Sequence, residues 1–323
     1  MSYINKGDRP TRAGFGEGLL EAGRKNPDIY AIGADITSSV GANLFAGEFP
    51  ERFISLGIAE QNCAGVAAGL ALMNKIPVFT TYAVFSAIRA ADQIRISICY
   101  NNLHALIGGA HAGISVGPDG ATHQALEDVA VMRSLPHMTV LSPCDATQAN
   151  LLTQKALLEL NGPVYIRFGR EAVPDFTSPD DYTEIGKAQI MREGNDLTII
   201  ATGHMVWEAL QSAELLAQKG IEAKVINIHT IKPIDKEAIL QAAAETGLLF
   251  TVEEHQITGG LGGAVAEVVA EQGGARVHRI GIPDSFGESG TPDELLEKFN
   301  LKAHRFSPII ESEYHEFLRA GRK

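Results

Sequence analysis

Three groups of residues carry side chains suited to acid–base and ring chemistry. The first is Glu60 in Gly57-Ile58-Ala59-Glu60-Gln61-Asn62, between an apolar run at 52–56 that reads as a strand and a small-residue run at 63–73 that reads as a closely packed helix. A carboxylate there lies at the carboxyl end of a strand and the amino end of a helix, the edge where α/β sheets place ligands. The helix dipole alone also favours an acid in that first turn. The second group is the glycine-rich stretch 111–124, which sets His111, Asp119 and His123 between a strand candidate and a helix opening near Leu126. Such a loop suits a polar substrate and proton transfer, while Thr122 by itself suits a helix cap. The third group is Tyr82 and Phe85, three residues apart where another strand ends. Two such rings either pack a core or form a flat slot for a planar ring.

The elements that must position these groups alternate short β-rich runs with amphipathic stretches, the pattern of parallel α/β sheets. Strands are predicted at 28–33, 52–56, 76–80, 103–108, 138–142 and 163–168, and helices at 11–25, 60–74, 84–100, 122–134 and 145–160. The stretch 171–186 is polar, holds two prolines and has no periodicity, so it reads as a linker. A second unit follows, with strands at 196–203, 223–228, 248–253 and 276–280, helices at 205–218, 235–245 and 261–272, and a closing helical region near 292–320. The expected fold is α/β in two consecutive domains, 1–185 and 186–323, each a mainly parallel sheet flanked by helices.

Composition narrows the function classes. The formal charge of −12 is spread along the chain and argues against nucleic acid or an anionic membrane as partner. The longest apolar run, 63–73, falls well short of the roughly 20 residues that span a bilayer, and the N-terminus has no apolar signal core. Cys63, Cys99 and Cys144 are few and widely spaced, as expected of small buried hydrophobes in a reducing cytoplasm. Gly259-Gly260-Leu261-Gly262-Gly263 lacks the dinucleotide spacing, because Val265 stands at the third glycine position. There is no P-loop and no H-E-x-x-H, so a metal held by this chain alone is not expected.

Six strings, in order, resemble the transketolase family of thiamine diphosphate enzymes: Gly33-Ala34-Asp35-Ile36-Thr37, Phe49-Pro50-Glu51-Arg52-Phe53, Gly57–Asn62, Thr81-Tyr82-Ala83-Val84-Phe85, His111–Gln124 and Phe286-Gly287-Glu288-Ser289-Gly290. The resemblance covers essentially the whole chain, as a pyrimidine-binding domain followed by a transketolase C-terminal domain. It implies that Glu60 hydrogen-bonds the cofactor's pyrimidine N1′ and so promotes loss of the thiazolium C2 proton; burial that raises its proton affinity would serve that role. It implies that Phe85 stacks on the pyrimidine beside Tyr82, with Ile88 where many relatives carry a third aromatic and Asp35 near the cofactor at a subunit boundary. For the substrate it implies His123 at the reacting oxygens and Asp119 on a sugar hydroxyl. Arg12, Ser39, His111 and Arg170 fall where the family holds a distal phosphate, a sensible anion clamp.

What the chain lacks is equally informative. The family holds magnesium or calcium and the diphosphate through a Gly-Asp-Gly motif and a later asparagine pair; no Gly-Asp-Gly occurs here, and Asn101-Asn102 has none upstream. A diphosphate needs metal charge in a protein site. The expectation is a cytoplasmic subunit of a split transketolase that moves a two-carbon ketol unit from a ketose to an aldose. A separate N-terminal subunit would carry the diphosphate and metal, in a two-plus-two heterotetramer. The rival readings are the β subunit of a two-chain 2-oxoacid dehydrogenase, a deoxyxylulose-phosphate synthase-like enzyme, and a non-catalytic binding subunit. The loop 111–124 and Arg89-Ala90-Ala91-Asp92-Gln93-Ile94-Arg95 favour transketolase over the dehydrogenase, the synthase is normally a single chain, and Glu60, the aromatic pair and His123 argue against a non-catalytic subunit.

Overall fold

Buried apolar strands without polar alternation dictate sheets covered on both faces; Leu106–Ala110 and Leu197–Ala201 are buried throughout. A computed structural model describes residues 3–321. Among these, one sheet has the strand order Thr230–Lys232, Thr139–Leu141, Val164–Arg167, Leu106–Ala110, Ile76–Tyr82, Ile29–Gly33, Phe53–Ser55. Its pairings are parallel except at Thr230–Lys232, which runs antiparallel to Thr139–Leu141. The second sheet has the order Arg276–Ile282, Leu248–Gln256, Leu197–Ala201, Ala223–Asn227, Gln189–Arg192, with only the last pairing antiparallel. The fold is thus two consecutive, mainly parallel sheets flanked by helices.

Because the first sheet is parallel, the carboxyl ends of four strands open on one edge. That edge carries Asp35, Tyr82 with Phe85, His111, and Arg170 a few residues beyond Val164–Arg167. The helix Thr11–Lys25 reaches the same region by packing very closely on Ala146–Leu158. Its glycines permit this: a Cβ on Gly14 would stand 1.9 Å from the Ala146 carbonyl oxygen, and one on Gly18 2.5 Å from that of Asn150. The approach sets Arg12 against the 36–41 turn, where its Nη1 donates to the Ser39 carbonyl at 3.1 Å.

Four segments depart from the sequence expectation. The predicted helix 84–100 is instead two wide π turns, Phe85–Arg89 and Ile94–Cys99, around a short α segment. Hydrogen bonds five residues apart mark them, Ala90 N to Phe85 O at 3.1 Å and Tyr100 N to Arg95 O at 2.9 Å; such turns are common at functional sites. The predicted helix 122–134 begins only at Asp128. The preceding residues turn back on the loop: His123 N and Gln124 N both donate to Gly120 O, and Gly113 N donates to Ala125 O. The expected linker 171–186 is tied down at its start. Ala172–Pro174 pairs antiparallel with Asp8–Pro10, and the Asp145 carboxylate accepts from the amides of Phe176 and Thr177. Finally, Thr230–Lys232, from the second half of the chain, completes the edge of the first sheet, a pairing no local pattern announces.

Candidate active site

Glu60 opens the helix Glu60–Leu72 after a turn through Gly57, whose φ of +70° lies in the left-handed region. Its residue is only 3% exposed. Burial alone was the sequence expectation, but the structure adds a cation: Arg89 Nη1 donates to Glu60 Oε1 at 2.8 Å. The same guanidinium lies 4.1 Å from the centroid of the Phe85 ring. The widened turn Phe85–Arg89 therefore joins the carboxylate to the aromatic face. The carboxylate also acts on Cys63, whose thiol is pushed up to about 11, first by burial and then by Glu60. All three cysteines are free and buried.

Tyr82, Phe85, His111 and His123 form one cluster of rings. Tyr82 packs on His111 with centroids 4.2 Å apart and on Phe85 at 6.0 Å with the planes 27° apart. His123 meets both edge-on, at 5.9 Å from Tyr82 and 5.4 Å from Phe85. His123 Nδ1 lies 2.9 Å from the Thr122 hydroxyl, so Thr122 orients the histidine and does not cap a helix. His111 is buried in a left-handed conformation, φ +53°, and its Nδ1 has no hydrogen-bond partner among the described residues. Burial, reinforced by Arg12, Arg170 and His123, pushes its pKa down to about 3.

Two of the anion-binding candidates meet Asp119 or Ser39 instead of standing free. Arg170 Nη1 lies 3.4 Å from both Asp119 carboxylate oxygens, and Arg170 Nε lies 3.6 Å from Glu171. Ser39 contributes its carbonyl to Arg12. Asp35 sits in an exposed turn at φ +67°, with no side-chain hydrogen bond to the ring cluster. Ile88 is 45% exposed and adds no ring to the aromatic slot. The sequence reading assigned no role to Arg89, nor to the buried group Arg167, Asp128 and Glu254 behind the loop. The polar run Glu253-Glu254-His255 at the end of the buried strand Leu248–Gln256 was the available signal. Among the described residues no group of three His, Cys, Asp or Glu could hold a metal ion, and no helix is long and apolar enough to cross a membrane.

The His111 environment has a measurable consequence. The folded ring stays neutral down to about pH 3, while the unfolded ring protonates below its ordinary value of 6.5. Its contribution to stability is therefore full above pH 6.5 and is lost as the pH falls toward 3. A two-dimensional NMR titration should show no His111 midpoint between pH 5 and 8; a midpoint near 6.5 would contradict the buried, uncharged ring.

Comparison with known proteins identifies the family. Residues 8–175 match the model of the transketolase pyrimidine binding domain, and residues 186–305 that of the transketolase C-terminal domain. A 6-deoxy-6-sulfo-D-fructose transketolase subunit from Clostridium sp. (strain MSTE9) is 43% identical over 285 residues, 88% of each chain. An apulose-4-phosphate transketolase subunit from Phocaeicola vulgatus is 42% identical over 291 residues, 90% of this chain and 93% of the relative. A solved structure described as a split gene transketolase, an inactive β4 tetramer, superposes with a TM-score of 0.87 at 46% identity, over 94% of this chain and 97% of the other. With both halves matched by family models and full-length relatives above 40% identity, the chain belongs to the transketolase family.

Proposed function

We propose that this chain is the pyrimidine-side subunit of a two-chain transketolase that moves a two-carbon ketol unit from an anionic ketose to an aldose. In this reading residues 1–185 form the pyrimidine-binding part and 186–323 the C-terminal part. The observation that carries it is the buried Glu60 carboxylate joined through Arg89 to the Phe85–Tyr82–His111–His123 cluster. These residues fit thiamine diphosphate: an acid for a ring nitrogen, an aromatic face for a planar ring, and an orphaned histidine nitrogen, His111 Nδ1, for a polar ligand atom. When bound, that cofactor supplies the carbon nucleophile and electron sink for cleaving and forming C–C bonds.

This chain's residues do the rest. Glu60 shares a proton with the pyrimidine N1′, leaving Arg89 to compensate its charge. Phe85 orients the ring, with Tyr82 holding His111 and His123 beside it. His123, half-buried and tied to Thr122, moves protons at the substrate's carbonyl and hydroxyl oxygens, and Asp119 takes a sugar hydroxyl. Arg12 and Arg170 supply the charge that binds the distal anion. His111, held neutral, adds hydrogen bonding and no charge. Relatives named for a sulfonated and a phosphorylated sugar support an anionic substrate class. The missing Gly-Asp-Gly, and relatives named as subunits, support a partner subunit that brings the diphosphate and its magnesium or calcium.

Co-expression with a chain carrying the diphosphate domain, followed by assays of ketose cleavage and of pyruvate decarboxylation, tests the reading. Ketol transfer between sugars is the expected result; pyruvate turnover alone would favour the 2-oxoacid or deoxyxylulose-phosphate reading. Within the reconstituted enzyme, Arg170→Gln should raise KM for a phosphorylated or sulfonated ketose about 10–100-fold, the worth of one hydrogen bond to a charged group. An unchanged KM would remove Arg170 from the anion site.

A further inference from the structure

Resting on that functional reading, we propose that Glu254, in the C-terminal part of the chain, is a positioning residue that sets the histidine loop in place for ketol transfer. Its carboxylate is buried, and Oε1 accepts the backbone N–H of Ser115 at 2.5 Å. The loop is shaped to this contact. Gly113 turns at φ +89°, and a Cβ there would stand 2.3 Å from the Glu254 carboxyl carbon. Oε2 lies 3.3 Å from His204 Nδ1, which belongs to the same half of the chain as Glu254.

The far end of the loop is referenced to the same residue. The Glu254 carbonyl accepts from Arg167 Nη2 at 2.8 Å, and that nitrogen also donates to the Ala125 carbonyl at 3.2 Å. Arg167 Nε donates to Asp128 at 2.9 Å, just past the loop, and Asp128 also accepts from the Tyr165 hydroxyl at 2.7 Å. Two residues further along the Glu254 strand, Gln256 N donates to the Leu126 carbonyl at 2.9 Å. Ser115 and Leu126 are thus anchored directly on the second sheet, and Ala125 is linked to it through Arg167 of the first. Between those anchors lie Asp119 and His123, and His111 immediately precedes them. A charge-assisted bond to a buried amide is among the stronger ways to fix a loop, and displacement of a reacting group by about 1 Å can cost on the order of 10²-fold in rate.

Glu254→Ala removes the acceptor, whereas Glu254→Gln keeps an oxygen for Ser115 N–H. Gly113→Ala disturbs the same contact from the loop side, should Glu254→Ala fold poorly. Hydrogen exchange is read on the full chain without cofactor, and kinetics on the reconstituted pair. In Glu254→Ala, amides of 111–126 are expected to exchange at least about tenfold faster, with Leu197–Ala201 unchanged. The kcat should fall at least about tenfold, with KM for thiamine diphosphate held, and Glu254→Gln should restore most of both. The proposal is overturned by unchanged exchange at 111–126, by equal acceleration across the second sheet, or by a Glu254→Gln variant as impaired as Glu254→Ala. An inactive wild-type pair would overturn the functional reading alone, because the exchange arm needs no turnover.

Discussion

Glu60→Gln in the reconstituted enzyme should lower ketol transfer by roughly 10²–10⁴-fold, the range over which a positioned acid or base contributes to rate. The substitution is nearly isosteric and keeps an oxygen that can accept the Arg89 hydrogen bond. It removes the capacity to exchange a proton with a ring nitrogen, so the loss should fall on kcat. The fold should barely register the change. Arg89 is 47% exposed, and an ion pair with one partner so open to water is worth less than about 1 kcal/mol. Thermal unfolding of the isolated chain should therefore shift by only a few degrees. A Glu60→Gln enzyme that retains more than about a tenth of wild-type kcat would show that the carboxylate is not the proton partner. A collapse in melting temperature would show that the loss of rate is a loss of structure.

How much of this was legible in the sequence depends on how local the determining contacts are. The helix Thr11–Lys25 and the strands Ile29–Gly33 and Leu197–Ala201 announce themselves because each is buried by its own pattern of apolar residues. Asp8–Pro10, Ala172–Pro174, Gln189–Arg192 and Thr230–Lys232 do not. They are three or four residues long, lie at sheet edges or in a two-stranded ribbon, and owe their conformation to partners far along the chain. The π turns at 85–99 escape for another reason: an inserted residue shifts the face without changing the composition that signals a helix.

The same distinction separates the site residues. Glu60, Tyr82, Phe85, His111 and His123 stand out by type within short strings, and the fold brings the rings together because their strands are parallel neighbours. Arg89 is 29 residues from the carboxylate it meets, and Glu254 is 139 from the amide it holds. No local string could report either pairing. Asp35 is the converse case, a residue conspicuous in its string that no hydrogen bond ties to the cluster.

The isolated chain, supplied with thiamine diphosphate and magnesium, should transfer no ketol units, and a partner chain bearing the diphosphate domain should restore activity by more than about 10³-fold. The contacts this chain offers are to a ring and to a sugar. Of its cations near the site, Arg89 is paired with Glu60, and Arg12 and Arg170 are assigned above to the substrate's distal anion. No Gly-Asp-Gly supplies a metal to neutralise a pyrophosphate. Without that anchor the reacting ring is held at one end only. Proper registration of reacting groups is worth up to about 10⁵-fold or more, so loss of one anchor is expected to cost most of the rate. Titrating the partner into a fixed amount of this chain should give activity that saturates at one partner per chain, as a two-plus-two assembly requires. Full activity of the chain by itself, or saturation at half a partner per chain, would overturn the shared-site architecture.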